Sequence, residues 1–175
     1  MRKFGLYLVS ILLLISCKDN SHMKYETLEL PRFFIVGISV RTTNKDGQSQ
    51  KDIGDLWGKF MGQNIKAQIH NKESVDTYCV YTDYESDFNG KYTTILGCKV
   101  KSLDSIPAGM IGIAVAPTTF RVYISKGKIP ECVVNTWMGI WKEQPERKYT
   151  ADFDVYGPKA QDIANAEVET YLSVK

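Results

Sequence analysis

The sequence predicts an α+β fold made of two copies of one β-α-β-β unit, with an antiparallel sheet and two main helices. Three observations predict it. Apolar residues recur with period two in short runs, and the run-to-run connection at Asn89-Gly90 is a hairpin signal rather than a crossover. Two helical stripes occur, one in each half of the chain. The order strand, helix, strand, strand is written twice, which favours α+β over a parallel doubly wound sheet.

In chain order, PRFFIVGISVRT (31–42) reads as the first strand. DIGDLWGKFMGQNI (52–65) follows as a helix with Asp52 as N-cap, its stripe formed by Ile53, Leu56, Trp57, Phe60, Met61 and Ile65. TYCVYTDYES and YTTILGCKVKS supply the next two strands. In the second half, residues 110–127 read as a strand pair or one long bent strand. IPECVVNTWMGIWKEQP then gives a helix entered at Pro130 and stopped at Pro145. YTADFDVYG and EVETYLSVK complete the second unit. Matched pairs support a duplication of residues 24–104 in 105–175: Val36 and Ile38 with Val122 and Ile124, Leu56-Trp57 with Ile140-Trp141, Val80-Tyr81 with Val155-Tyr156, and Thr94-Ile95-Leu96 with Thr170-Tyr171-Leu172.

The front of the chain carries a different kind of signal. Arg2 and Lys3 precede an apolar run from Leu6 to Ile15, then Ser16 and Cys17, which is the order of an export signal. The run is well short of the roughly 20 residues that span a bilayer. LISC resembles the lipobox of bacterial lipoproteins, so residues 1–16 are expected to be cleaved and Cys17 lipidated. Residues 17–23 would be the tether, within a polar tract that runs on to Pro31. The expected location is the cell envelope, lipid-anchored on the periplasmic side, with the outer membrane favoured because Lys18 follows Cys17. A start at Met23 would instead give a cytoplasmic protein, and Ser21-His22-Met23 has the form of a cloning remnant.

Losing residues 1–16 removes two basic charges and takes the formal net charge from +2 to zero. A neutral chain without a helix-turn-helix segment offers no bulk attraction to nucleic acid. GxGxxG and GxxxxGK[ST] are absent, which removes the common phosphate-cradling loops. Beyond Cys17 three cysteines remain, Cys79, Cys98 and Cys132, with no zinc spacing. They are expected to be buried thiols, with a cross-strand Cys79–Cys98 disulfide as the alternative. No metal and no cofactor is implied.

The segment TADFDVYG (150–157) is the most informative stretch for function. Alternation puts Asp152, Asp154 and Tyr156 on one face and Phe153 and Val155 on the other. If Phe153 and Val155 pack on the helix of Trp137 and Trp141, Asp154 and Tyr156 face away from that helix, into the cleft between repeats. The repeat places Tyr81 in the position of Tyr156 and Cys79 in that of Asp154.

LWGKF, VYTDYES, NGKYTTILGCKV, IPAGM, the W-x3-W of Trp137 and Trp141, YTADFDVY and VETYLSVK together resemble the GyrI-like domain, the bacterial transcription activator effector-binding domain. The likeness covers residues 24–175. It implies a duplicated β-α-β-β (SHS2-like) fold whose halves form a groove for hydrophobic, often cationic, small molecules. An acidic residue in a segment often written F-E-V-Y lies at the groove floor in such domains. Asp154 takes that place here, one methylene shorter than glutamate. The implied ligand-binding residues are Asp154, Tyr81, Tyr156, Trp57 and Trp141, with Tyr149 at the mouth. Asp152 and Asp83 are expected as rim or solvent charges, and His70 as a solvent-facing residue.

A desolvated carboxylate among aromatic faces suits a lipophilic cation, through charge and cation–π attraction. The expected activity is therefore binding, for sequestration or sensing, without a DNA-binding domain. One alternative is a hydrolase of small reactive compounds using Asp154 and Tyr81, since no Ser-His-Asp set can form from His22 and His70. Another is a protein-interaction module that regulates a partner.

Overall fold

A computed structural model describes residues 22–175. The export signal, Cys17 and most of the tether lie outside the described residues. The strands are β1 (Glu26–Leu30), β2 (Phe33–Thr43), β3 (Thr77–Thr82), β4 (Lys91–Val100), β5 (Ile111–Val115), β6 (Thr118–Gly127), β7 (Ala151–Tyr156) and β8 (Ala166–Ser173). The helices are α1 (Gln48–Gly62), the single turn α2 (Ile65–Gln68) and α3 (Glu131–Glu143).

All eight strands form one antiparallel sheet in the order β1-β6-β8-β7-β3-β4-β2-β5. The order is symmetric about the β7–β3 ladder, so the two halves are related by a pseudo-twofold axis through the sheet centre. The unit is larger than expected, because each half begins with an extra strand that crosses over. β1 pairs with β6 of the second half, and β5 pairs with β2 of the first. The polar tract before Pro31 is therefore a strand from Glu26 onward rather than tether. Residues 111–127 are two strands that never pair with each other. Pro31 and Pro117 stand at the two breaks, where the missing N–H ends a ladder.

Register also adjusts the repeat. Cys79 opposes Leu96 in the first half, and Asp154 opposes Thr170 in the second. Given the Val80-Tyr81 and Val155-Tyr156 match, Thr170 corresponds to Leu96 and not to Thr94. On β6 it is Tyr123, not Val122 or Ile124, that joins the helix-side core, so that match slips by one residue. The slips have a simple cause: short apolar runs resemble one another at neighbouring registers, and only the ladder fixes which side chain faces which layer.

Both faces of the sheet are apolar. α1 covers Val36, Ile38, Cys79, Leu96 and Cys98, while α3 covers Tyr123, Val168 and Leu172. The opposite face buries Phe33, Ile35, Val80, Ile95, Phe120 and Phe153. Phe33 of β2 and Phe153 of β7 have ring centroids 5.4 Å apart although β3 and β4 lie between their strands. Neighbouring strands are about 4.8 Å apart, so this contact requires a strongly curled sheet. Gly37 and Gly97 oppose each other in the β2–β4 ladder, and a Cβ on either would meet a facing carbonyl oxygen at 2.2 or 2.1 Å. The close approach there admits only glycine.

The helices differ in detail from expectation. α1 starts at Gln48, so Asp52 is internal and accepts from Thr42 Oγ1 at 2.7 Å instead of capping. It ends at Gly62, Asn64 is left-handed (φ 47°), and Ile65 opens the separate turn α2. α3 runs between Pro130 and Pro145 as the sequence indicates. Cys79, Cys98 and Cys132 are free buried thiols, because Cys79 opposes Leu96 and Cys98 opposes Val36. His70 is exposed. Among the described residues no helix is long and apolar enough to cross a membrane.

Candidate functional site

The site forms where the two halves meet. β3 and β7 are the central strands, and Tyr81 and Tyr156 on them pack against both the α1-side and the α3-side cores. They are thus the floor between the helices. Trp57 of α1 stands edge-on to Tyr156 at 4.8 Å, and Trp137 of α3 stands edge-on to Tyr81 at 5.2 Å. The two walls and the floor are aromatic.

Asp154 lies at the centre with no exposure to solvent. It faces α3, opposite to the sequence expectation: Phe153 and Val155 pack on the face that carries no helix. Alternation could not decide this because both faces of β7 are buried. Three donors converge on the carboxylate. Thr170 Oγ1 donates to Oδ1 at 2.6 Å, Tyr81 Oη to Oδ2 at 2.7 Å, and Trp137 Nε1 to Oδ2 at 3.2 Å. Burial pushes the Asp154 pKa up to about 6, against the lowering effect of these hydrogen bonds. The Tyr81 hydroxyl is raised well above the usual phenol value, first by burial and then by Asp154. Among the described residues no Lys, Arg or His forms an ion pair with Asp154. The pseudo-symmetric position holds Cys79 opposite Leu96, so the groove has a polar half and an apolar half.

Asp152 is not a rim charge. It is fully buried and pairs with Arg147 Nη2 at 2.6 Å. It also accepts from Tyr84 Oη at 2.9 Å and from the backbone N–H and hydroxyl of Ser173 at 2.7 and 2.8 Å. This network ties β7 to β8 and to the segment after α3. It consumes the charge of Asp152, which leaves Asp154 as the groove's uncompensated acid. Among the described residues no cluster of His, Cys, Asp and Glu is placed to hold a metal.

A match to the integron-associated effector-binding protein family, Cass2, extends over residues 26–174, both repeats together. The chain belongs to that family. A transcriptional regulator of Bacillus subtilis, YobU, described as putative, is 30% identical over 160 residues, covering 89% of this chain and 98% of its own. The integron cassette protein of Vibrio cholerae has the same fold with a TM-score of 0.69 at 28% identity, over 86% of this chain and 95% of that one. SAV2435, solved bound to tetraphenylphosphonium, superposes with a TM-score of 0.73 at 20% identity, over 87% and 94% of the two chains.

Within this effector-binding domain the expected site residues divide into two groups. Asp154, Tyr81, Tyr156 and Trp57 come together in the groove. Trp141 packs on the α3-side core that Tyr81 and Tyr156 also meet, 6.4 Å from Trp137, and Tyr149 stands edge-on to Tyr84 at 5.4 Å. Trp141 stacks on Phe88 at 5.8 Å, and Tyr149 lies under the Arg147 guanidinium at 4.2 Å. Both line a cavity of about 270 Å³ near the end of α3, with Asp87, Phe88 and Arg147. The proposed catalytic pair Asp154 and Tyr81 is in contact, but the carboxylate is sealed under its donors.

The site also includes residues the sequence did not single out. Trp137 read as a helix-packing residue, yet its indole N–H reaches Asp154. Thr170 was matched to Thr94 by local likeness; correct register would have placed it beside Asp154. Arg147 gave no signal, since a basic residue after a helix is ordinarily solvated.

Proposed function

We propose that the domain binds a hydrophobic, cationic small molecule between α1 and α3, with Asp154 supplying the counter-charge. One observation carries the reading: a fully buried carboxylate, paired with no cation among the described residues, at the junction of two aromatic walls. Such a group is costly when ionised and is relieved by a cation held nearby. The rings of Tyr156, Trp57 and Tyr81 supply apolar area and cation–π attraction for the same guest. The tetraphenylphosphonium bound to SAV2435 is a lipophilic cation of this class, held on the same fold. With an export signal and a lipid anchor at Cys17, the domain would sequester or sense such compounds at the cell envelope.

The test is titration of the purified protein with tetraphenylphosphonium and with uncharged tetraphenylmethane. Binding of the cation, weakened at least tenfold in Asp154→Asn, is the expected result. Equal affinity of the wild type and Asp154→Asn for the cation would take the carboxylate out of the mechanism.

A further inference from the structure

We propose that the segment before β1, residues 22–25, is a strap that holds α3 closed over the groove, so that entry of a guest and release of the strap are one event. The inference rests on the cation reading of the groove and adds its regulation.

Two contacts seat the strap on α3 and a third ties it to β6. The Met23 side chain fills a notch left by Gly139: a Cβ there would meet Met23 Sδ at 2.3 Å, Cε at 3.2 Å and Cγ at 3.5 Å. The Met23 backbone N–H donates to Glu143 Oε1, one turn further along the helix. Tyr25 packs on Tyr123 with ring centroids 5.6 Å apart, beneath the Arg121 guanidinium at 4.5 Å. The filled notch is particular to α3, since a Cβ on Gly54, Gly58 or Gly62 of α1 would meet nothing within 4 Å. A start at Met23 keeps both α3 contacts, with an ammonium in place of the N–H.

Placement makes the strap a clamp. At about 100° per residue, Gly139 lies about 160° round α3 from Trp137. The strap therefore bears on the outer flank of the helix, while the indole bears on Asp154 on the groove flank. Met23, Tyr81 and Tyr156 pack on the same α3-side core. Asp154 has no exposure, so one of its donors must withdraw before a guest touches the carboxylate. Tyr81 and Thr170 belong to the sheet; Trp137 belongs to a helix, the element able to shift as a body. Outward movement of α3 runs into Met23. The two states are thus strap seated with Asp154 sealed, and strap free with Asp154 open. By linkage, what loosens the strap tightens the guest by the same factor.

The test combines titration of the purified protein with tetraphenylphosphonium and hydrogen exchange of residues 22–26. Gly139→Ala puts a methyl where Met23 Sδ sits and favours the helix, so α3 itself is not weakened. It is expected to bind the cation at least threefold tighter and to exchange the strap at least threefold faster. Saturating cation should speed strap exchange in the wild type while β7 and β8 stay unchanged. Trp137→Phe removes the indole N–H, so it should speed strap exchange with no guest present. In that background Gly139→Ala should change cation affinity less than twofold. Cation binding that leaves strap exchange unchanged would overturn the coupling and leave the cation reading standing. Equal affinity in wild type and Gly139→Ala, with the strap exchanging faster in the variant, would overturn it too. If the wild type binds no cation, that reading fails, and guest-free exchange in Trp137→Phe decides the strap: an unchanged rate overturns it. Should Trp137→Phe fail to fold by circular dichroism, Gly139→Ala and the wild-type exchange decide.

Discussion

Replacing Asp154 by Asn should change how stability depends on pH, because the wild-type carboxylate is held in its unfavourable charged form at neutral pH. The folded-state pKa is about 6, against 3.8 for an ordinary Asp, and burial is the main cause. A raised pKa means the folded state prefers the protonated acid. Stability from this group is therefore fully present below pH 3.8 and is lost as pH rises through 6. Each pH unit between those values corresponds to about 1.4 kcal/mol, so ionisation costs the native state about 3 kcal/mol by pH 7.5. Asn cannot ionise, and its carbonyl still accepts from Thr170 or Tyr81. Urea unfolding of the two proteins from pH 3 to pH 7.5 should show Asp154→Asn gaining on wild type by about 3 kcal/mol across the interval. Saturating tetraphenylphosphonium should remove most of the wild-type decline. Parallel profiles for the two proteins would refute the claim that this carboxylate is buried without compensation.

Other outcomes follow from the same geometry. Asp152→Asn leaves the Arg147 charge buried and unpaired and should cost about 3–5 kcal/mol in urea unfolding; a loss under 1 kcal/mol would mean the pair is solvated. Gly97→Ala drives a Cβ toward the Val36 carbonyl oxygen and should cost about 1–3 kcal/mol, read as a lower unfolding midpoint. For the front of the chain, Cys17→Ser should release the protein from membrane fractions and abolish incorporation of labelled fatty acid; unchanged membrane association would remove the lipid anchor from the account.

The sequence by itself determined the fold class, the duplication and the chemistry of the central ladder. Val80-Tyr81 against Val155-Tyr156 is in true register, and it led directly to Cys79 and Asp154 as related positions, which the structure places opposite each other across β3 and β7. The helices of Trp57 and Trp141 were legible because a 3.6-residue stripe is a local property. What only the tertiary structure decided were the relations set at long range. The exchange of β1 and β5 between halves has no local signature, since Glu26–Leu30 is an exposed, polar-rich edge. The face of Asp154 was expected on the wrong side, away from α3, because the sheet curls and buries both sides, so alternation tells which residues share a side but not which side the helices cover. Asp152 and Asp154 look alike two residues apart. One is neutralised by Arg147 and the other is not, because the segment after α3 brings a guanidinium to one, while β8, β3 and α3 bring a threonine, a tyrosine and an indole to the other.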